Sequence, residues 1–162
     1  MTHGTPSRWK PILAAALAAG VVAVLGAQIT DLGPWYYSLR EPAWKPPDVL
    51  FGPAWTLIFG LAATAGVLGW RALRSRASRL MMCGFFFLNA FFNELWSALF
   101  FRFHRPDWAL LEVSLLWLSI LLLMIALYRA SRRASWLLLP YLIWVSFAAA
   151  LNLAVVRLNP VR

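Results

Sequence analysis

Charge is scarce in this sequence. Asp, Glu, Lys and Arg make up 13% of its 162 residues, about half the share of an ordinary soluble domain. With 62% of residues hydrophobic, a water-soluble fold would be coated in exposed apolar surface. That class is excluded in favour of a protein whose outer surface meets lipid. Acids are scarcer still, six against fifteen bases. The bases fall in short gaps between apolar runs rather than along a solvated face. That placement suits anionic lipid headgroups and argues against a nucleic-acid partner. Cysteine is limited to Cys83, inside an apolar run, so no disulfide framework can form within the chain. The two histidines, His3 and His104, make no Cys/His metal pattern, and no metal is expected. His104 reads as a surface residue, with haem ligation the weaker alternative. Catalytic constellations are missing too: Ser and Thr are scattered, and Glu94 and Glu112 belong to different runs. The glycines form no phosphate-binding fingerprint.

What is present is apolar length. A membrane-spanning helix needs about twenty apolar residues, and five segments qualify: 11–30, 49–70, 80–103, 108–128 and 136–156. An all-α membrane protein follows, a single domain over 1–162 built as a five-helix bundle. Arg8 and Lys10 ahead of Ile12–Leu25 would also suit a secretory signal. The apolar stretch is longer than a signal core and no Ala-x-Ala site follows, so a retained helix is expected. Lys and Arg in alternate gaps set the orientation. Arg8, Lys10, Arg71, Arg74, Arg76, Arg79, Arg129, Arg132 and Arg133 fall on one side; Arg40, Lys45, Arg102, Arg105, Arg157 and Arg162 fall on the other. The richer side, with the N-terminus, is expected in the cytoplasm.

The first gap, 31–48, is the one long loop. It carries Trp35, Tyr36, Tyr37 and Trp44 among Pro34, Pro42, Pro46 and Pro47, and the prolines stiffen it. Such a loop is either an interfacial aromatic belt or a lid over a cavity.

At about 100° per residue, Asn89, Asn93, Trp96 and Phe100 of the third segment fall at about 0°, 40°, 340° and 20°. Amides are seldom turned to lipid, where an unsatisfied polar group costs several kcal/mol. This stripe is therefore expected to face the interior, as packing glue between helices or as polar contacts for a ligand. Glu94, about 100° beyond Asn93, shares a face with Ala90 and Ala98. A mid-membrane carboxyl is a functional candidate by default. Ala90, Glu94 and Ala98 are candidates for a face against a second copy, with hydrogen bonding inside the chain as the rival. In the fifth segment Trp144, Ala148, Leu151 and Val155 share a stripe, with Tyr141 and Asn152 at its margin. A large ring beside Ala148 makes a step that would seat a flat ligand, or else serves ordinary packing.

These residues also fall into motifs. Trp35-Tyr36-Tyr37-Ser38-Leu39-Arg40-Glu41-Pro42-Ala43-Trp44-Lys45-Pro46-Pro47 closely resembles the W-Y-x-x-L-x-K-P-x-W-x-P-P loop of the tryptophan-rich sensory protein/translocator protein family (TspO/MBR). Phe51-Gly52-Pro53-Ala54-Trp55-Thr56 resembles its G-P-x-W-T, and Asn93-Glu94-Leu95-Trp96 with Phe100-Phe101 its N-x-x-W-x-x-x-F-F. Pro140-Tyr141-Leu142-Ile143-Trp144 and Leu151-Asn152 resemble P-Y-L-x-W and L-N. The motifs stand in family order over Trp35 to Asn159.

The resemblance implies a five-helix bundle, commonly a homodimer, with a cavity beneath the first loop. It implies binding of porphyrins and related tetrapyrroles, and in animal members of sterols and benzodiazepine- or isoquinoline-type drugs. Carried over by motif and stripe, the ligand-binding candidates are Trp35, Trp44, Trp55, Asn93, Trp96, Trp144, Ala148, Leu151 and Asn152. Trp55 and Trp144 match positions implicated in light-dependent porphyrin breakdown, so they are the catalytic candidates if the chain is an enzyme. The expected function is a tetrapyrrole-binding sensor, regulator or transporter, with porphyrin as ligand and no required cofactor. Porphyrin degradation and sterol or lipid carriage are the alternatives. The charge bias points to a bacterial inner membrane, although some members of the family reside in outer membranes. Three departures bear on the ligand. Glu41 stands where the family loop has Lys, which leaves Arg40 or Lys45 to meet a propionate. Asn89 replaces the common Gln. Leu153 occupies the Tyr position of the animal sterol motif, which argues against cholesterol.

Overall fold

A computed structural model describes residues 9–160; Arg8, Arg162 and His3 lie outside them. Among the described residues all regular structure is helical, and five helices are long and apolar enough to cross a membrane. Helix α1 spans Lys10–Ile29, α2 is the single turn Pro34–Ser38, and a 3-10 turn at Asp48–Leu50 leads into α3, Phe51–Ala72. Helix α4, Arg76–Ser97, runs on through a π-helical turn at Ala98–Arg102. Helix α5 is Pro106–Ala130, α6 is the short Arg132–Trp136, and α7 is Leu139–Leu158.

The ends follow local chemistry. The third span begins at Arg76, four residues before the apolar run, because the Ser75 hydroxyl caps the helix by accepting from the Ser78 amide at 3.0 Å. Arg76 and Arg79 therefore sit in the first helical turn, where long side chains can still reach the headgroups. At the other end the ladder slips by one residue, and the Phe103 amide bonds the Ala98 carbonyl at 2.9 Å. His104 then turns left-handed at φ 53°, and Pro106 opens α5 at a position where a missing amide costs nothing. The fifth span is broken into α6 and α7 just before Pro140. The Ser131 hydroxyl caps α6 by accepting from the Ala134 amide.

The long helices close a ring in the order α1, α3, α7, α5, α4, with α3 also meeting α4 and α5. Helix α5 carries the core: Ala109, Val113, Leu116, Ile120, Leu123 and Leu127 are all buried. Every residue of α1 keeps some exposure, with Pro11, Ala15, Ala19, Val22, Gly26 and Ile29 the least exposed stripe. Large outward side chains such as Phe87, Leu111 and Val49 are about three-quarters exposed. In lipid that exposure carries no hydrophobic penalty.

Helices meet closely where side chains are small or polar. Gly69 of α3 lies so near α5 and α4 that an added Cβ would stand 2.5 Å from Leu127 Cδ2 and 2.8 Å from Met82 Sδ. Asn89 Nδ2 donates to Ser119 Oγ at 2.9 Å, joining α4 to α5. The Tyr141 hydroxyl donates to Asn93 Oδ1 at 3.3 Å, joining α7 to α4. The amide stripe of the third span therefore faces the interior.

Candidate functional site: a lidded aromatic cavity

Toward the end that carries the first loop, the ring of helices opens into a cavity of about 530 Å³, a size suited to a drug-like or small macrocyclic ligand. Its wall comes from α1 (Ala23, Gly26, Ala27), α3 (Trp55, Thr56, Phe59), α4 and its π turn (Asn93, Trp96, Phe100, Phe101) and α7 (Trp144, Ala148, Leu151, Asn152). Trp55 and Trp144 meet nearly edge to face, 6.5 Å between centroids and 82° between planes. One indole thus offers its face where the other offers its edge. Trp96 stacks on Phe100 at 5.3 Å. Phe100 and its neighbour Phe101, both within the π turn, line the wall together. Small side chains at Gly26 and Ala148 leave room beside these rings.

The loop roofs the cavity through Tyr36, Leu39, Glu41 and Lys45, and it is held at two points. The Asn159 amide pairs with the Arg40 backbone, accepting from its N–H and donating to its carbonyl, both at 2.9 Å. Lys45 Nζ lies 2.6 Å from both Glu41 Oε1 and Asp48 Oδ1, and 4.8 Å from the centre of the Tyr36 ring. The Tyr36 hydroxyl donates to Asp48 Oδ1 at 2.8 Å. Burial pushes the Tyr36 phenol up to about 12. Burial alone would lower the Lys45 ammonium, but its bonds to Asp48 and Glu41 outweigh that and raise it.

The structure brings together Trp55, Asn93, Trp96, Trp144, Ala148, Leu151 and Asn152 of the sequence candidates. It sets Trp35 and Trp44 outside the cavity wall. Trp35 stacks on His104 at 4.1 Å and 16°; Trp44, half-exposed, meets Phe147 edge-on at 5.7 Å. Consecutive residues of the α2 turn point about 100° apart, so turning Tyr36 inward turns Trp35 away. Asn152 reaches the cavity, but its amide serves the fold: its neighbours are the Pro106 carbonyl and the Leu110 amide, and the amide orientation that satisfies both has Nδ2 donating to the first and Oδ1 accepting from the second, each at 3.0 Å. Glu94 lies against α1, its carboxylate 3.5 Å from where a Cβ on Gly26 would stand. The carboxylate oxygens of Glu94 and Glu112 and the Trp96 indole nitrogen are buried with no hydrogen-bond partner among the described residues. Tyr36, Lys45, Asp48, Phe59 and Phe101 line the cavity without having been among the ligand-binding candidates. Tyr36 carried a signal as a loop aromatic, Lys45 as a loop cation and Phe101 as part of a motif; Asp48 and Phe59 carried none.

A five-span membrane bundle with a lidded, tryptophan-walled cavity at one end is the class of protein that fold and site define. Residues 12–158 match the TspO/MBR family, and the chain belongs to it. It is 40% identical over 160 residues to the tryptophan-rich protein TspO of Chlorobaculum tepidum, covering 93% of this chain and 99% of that one. It is 33% identical over 151 residues to the tryptophan-rich sensory protein of Cereibacter sphaeroides, covering 93% and 92%. To the translocator protein of Homo sapiens it is 28% identical over 154 residues, covering 93% and 91%.

Proposed function

We propose that this integral membrane protein binds a flat aromatic macrocycle of the tetrapyrrole class in the lidded cavity and serves as a sensor or transporter for it. The observation that carries the reading is the cavity wall itself, with Trp55, Trp96 and Trp144 around one space and Ala148 as the step between them. A macrocycle would stack on indole faces in a setting where aromatic contact adds to burial. Thr30, Thr56, Asn93 and Ser97 are uncharged polar residues of the wall that a ring edge would meet. The names of the relatives, a sensory protein and a translocator protein, support sensing or movement of a ligand. The same reading places the N-terminus in the cytoplasm of a bacterial inner membrane, on the charge bias, with the homodimer common in the family.

Tryptophan-fluorescence quenching on titration with haem and with metal-free porphyrin tests it. Saturable quenching is expected, weakened about tenfold or more by Ala148→Phe, which fills the step. Linear quenching that Ala148→Phe leaves unchanged would mean partition into lipid and would end the proposal. A second reading is favoured by the contact of Trp55 with Trp144: paired indoles beside a photoexcited porphyrin would give it an electron, which passes on to dissolved dioxygen, and the reduced oxygen species formed beside the ring then oxidises the macrocycle. Pigment loss under light at an unchanged rate in Trp55→Phe/Trp144→Phe would remove that role.

A further inference from the structure

The cavity mouth has a charge character of its own. Among the described residues lining the cavity, the charged side chains are Glu41, Lys45 and Asp48, two acids to one base. The base is also saturated. An ammonium has three N–H donors; here two carboxylates stand at 2.6 Å and the Tyr36 ring occupies a third side. The Lys45 side chain is only 10% exposed, whereas those of Glu41 and Asp48 are 35% and 31% exposed. An arriving ligand therefore meets carboxylate oxygen rather than ammonium.

The helices add to this bias. Helices α1, α4 with its π turn, and α7 all end at the mouth, near Thr30, Phe101 and Val155, and present their carbonyl ends. Only α3 among the long wall helices begins there, and Asp48 in the turn before it already meets its positive end. Carbonyl ends carry partial negative charge and disfavour an anion beside them. Among the described residues, the other loop-end bases do not line the cavity. Arg105 pairs with Asp107, and Arg157 lines an outer groove behind Trp44. The Arg40 backbone is the part pinned to Asn159.

We infer that the cavity selects a flat macrocycle whose polar edge is neutral or cationic over one bearing free carboxylates, and that Glu41 sets this selectivity. The inference rests on the proposed cavity binding and adds the charge class of the ligand. Glu41 acts by occupying Lys45 and by facing the mouth with its own charge. A ligand carboxylate would have to displace Glu41 from the ammonium and then lie beside it. An esterified or amine-bearing edge meets no such repulsion.

One macrocycle in three forms tests this in uncharged phosphatidylcholine nanodiscs: a free porphyrin diacid, its dimethyl ester, and its bis(aminoalkyl) amide. Partition into lipid rises linearly with ligand; the saturable part of tryptophan quenching reports the cavity. Wild type is expected to bind the ester and the amine about tenfold tighter than the diacid. Glu41→Lys should raise diacid affinity to at least that of the ester while moving the ester less than about twofold. Glu41→Gln, which unlatches the loop without adding a cation, should fall between the two. Diacid binding as tight as ester binding in wild type would overturn the inference, as would Glu41→Lys shifting all three ligands alike or Glu41→Gln matching Glu41→Lys. If no form gives a saturable signal, the cavity reading itself fails, a result distinct from the loss of selectivity alone.

Discussion

At Asn152 one side chain stands at a ligand cavity and in a helix joint at once. Its amide bonds the Pro106 carbonyl and the Leu110 amide of α5, the two backbone groups that bracket the first turn of that helix, and the residue is 1% exposed. Both polar atoms are thereby committed to fixing α7 against α5. Replacement with Leu keeps the volume and removes the tie. Interhelical hydrogen bonds in membranes contribute about 0.6 to 2 kcal/mol each, so Asn152→Leu should lower the unfolding midpoint in detergent by several degrees. Porphyrin affinity should shift less than about threefold, because the amide is turned away from the ligand. A large loss of affinity at unchanged thermal stability would show that the amide serves the ligand instead. Asn93 differs: it takes one hydrogen bond from Tyr141 on its oxygen and stands in the cavity wall. The motif and stripe brought both asparagines to notice. What separates their roles is the backbone of another helix, a partner that no periodicity within one segment reveals.

Helix-scale packing explains which features were readable from the chain and which were not. Apolar length marks five spans because lipid demands about twenty apolar residues whatever the neighbours do. The same logic turned Asn89 and Asn93 inward. Hydropathy cannot detect the π turn at Ala98–Arg102, since a one-residue slip in hydrogen-bond register leaves composition untouched. Nor does it show that the α2 turn aims Tyr36 inward and Trp35 at His104. Close helix approach is equally silent until the neighbours are known. Gly69 and Gly60 both sit within α3, but a Cβ at Gly69 would collide with Leu127 and Met82, while one at Gly60 meets nothing within 4 Å. Gly69→Val should therefore destabilise by about 1–3 kcal/mol, the usual cost of overpacking. Gly60→Ala should be neutral or slightly stabilising through helix propensity. Thermal unfolding of the two variants in one detergent compares them directly, and equal midpoints would contradict the close α3–α5 packing.

Across the whole molecule the two ends differ more than a count of bases suggests. At the end away from the loop, Arg71, Arg74, Arg76 and Arg79 flank the α3–α4 corner, and Arg129, Arg132 and Arg133 flank the α5–α6 corner. Arg79 and Arg132 lie over the rings of Trp70 and Tyr128, so these cations sit against aromatics of the interfacial belt. At the loop end Lys45 and Arg105 are paired with acids. Retention of positive charge in the cytoplasm acts on short loops like these, and the orientation proposed above predicts that the arginine-rich corners face the cytoplasm and the lidded cavity the outer side. Single cysteines read this out. With Cys83→Ala as background, Ser38→Cys in the exposed lid turn and Ser131→Cys beside the α5–α6 corner can be challenged with a membrane-impermeant maleimide. Spheroplasts are used so that the reagent reaches the inner membrane. Ser38→Cys should label at once, and Ser131→Cys only after the membrane is opened. The reverse order would invert the topology, and the cavity would then receive its ligand from the cytoplasm.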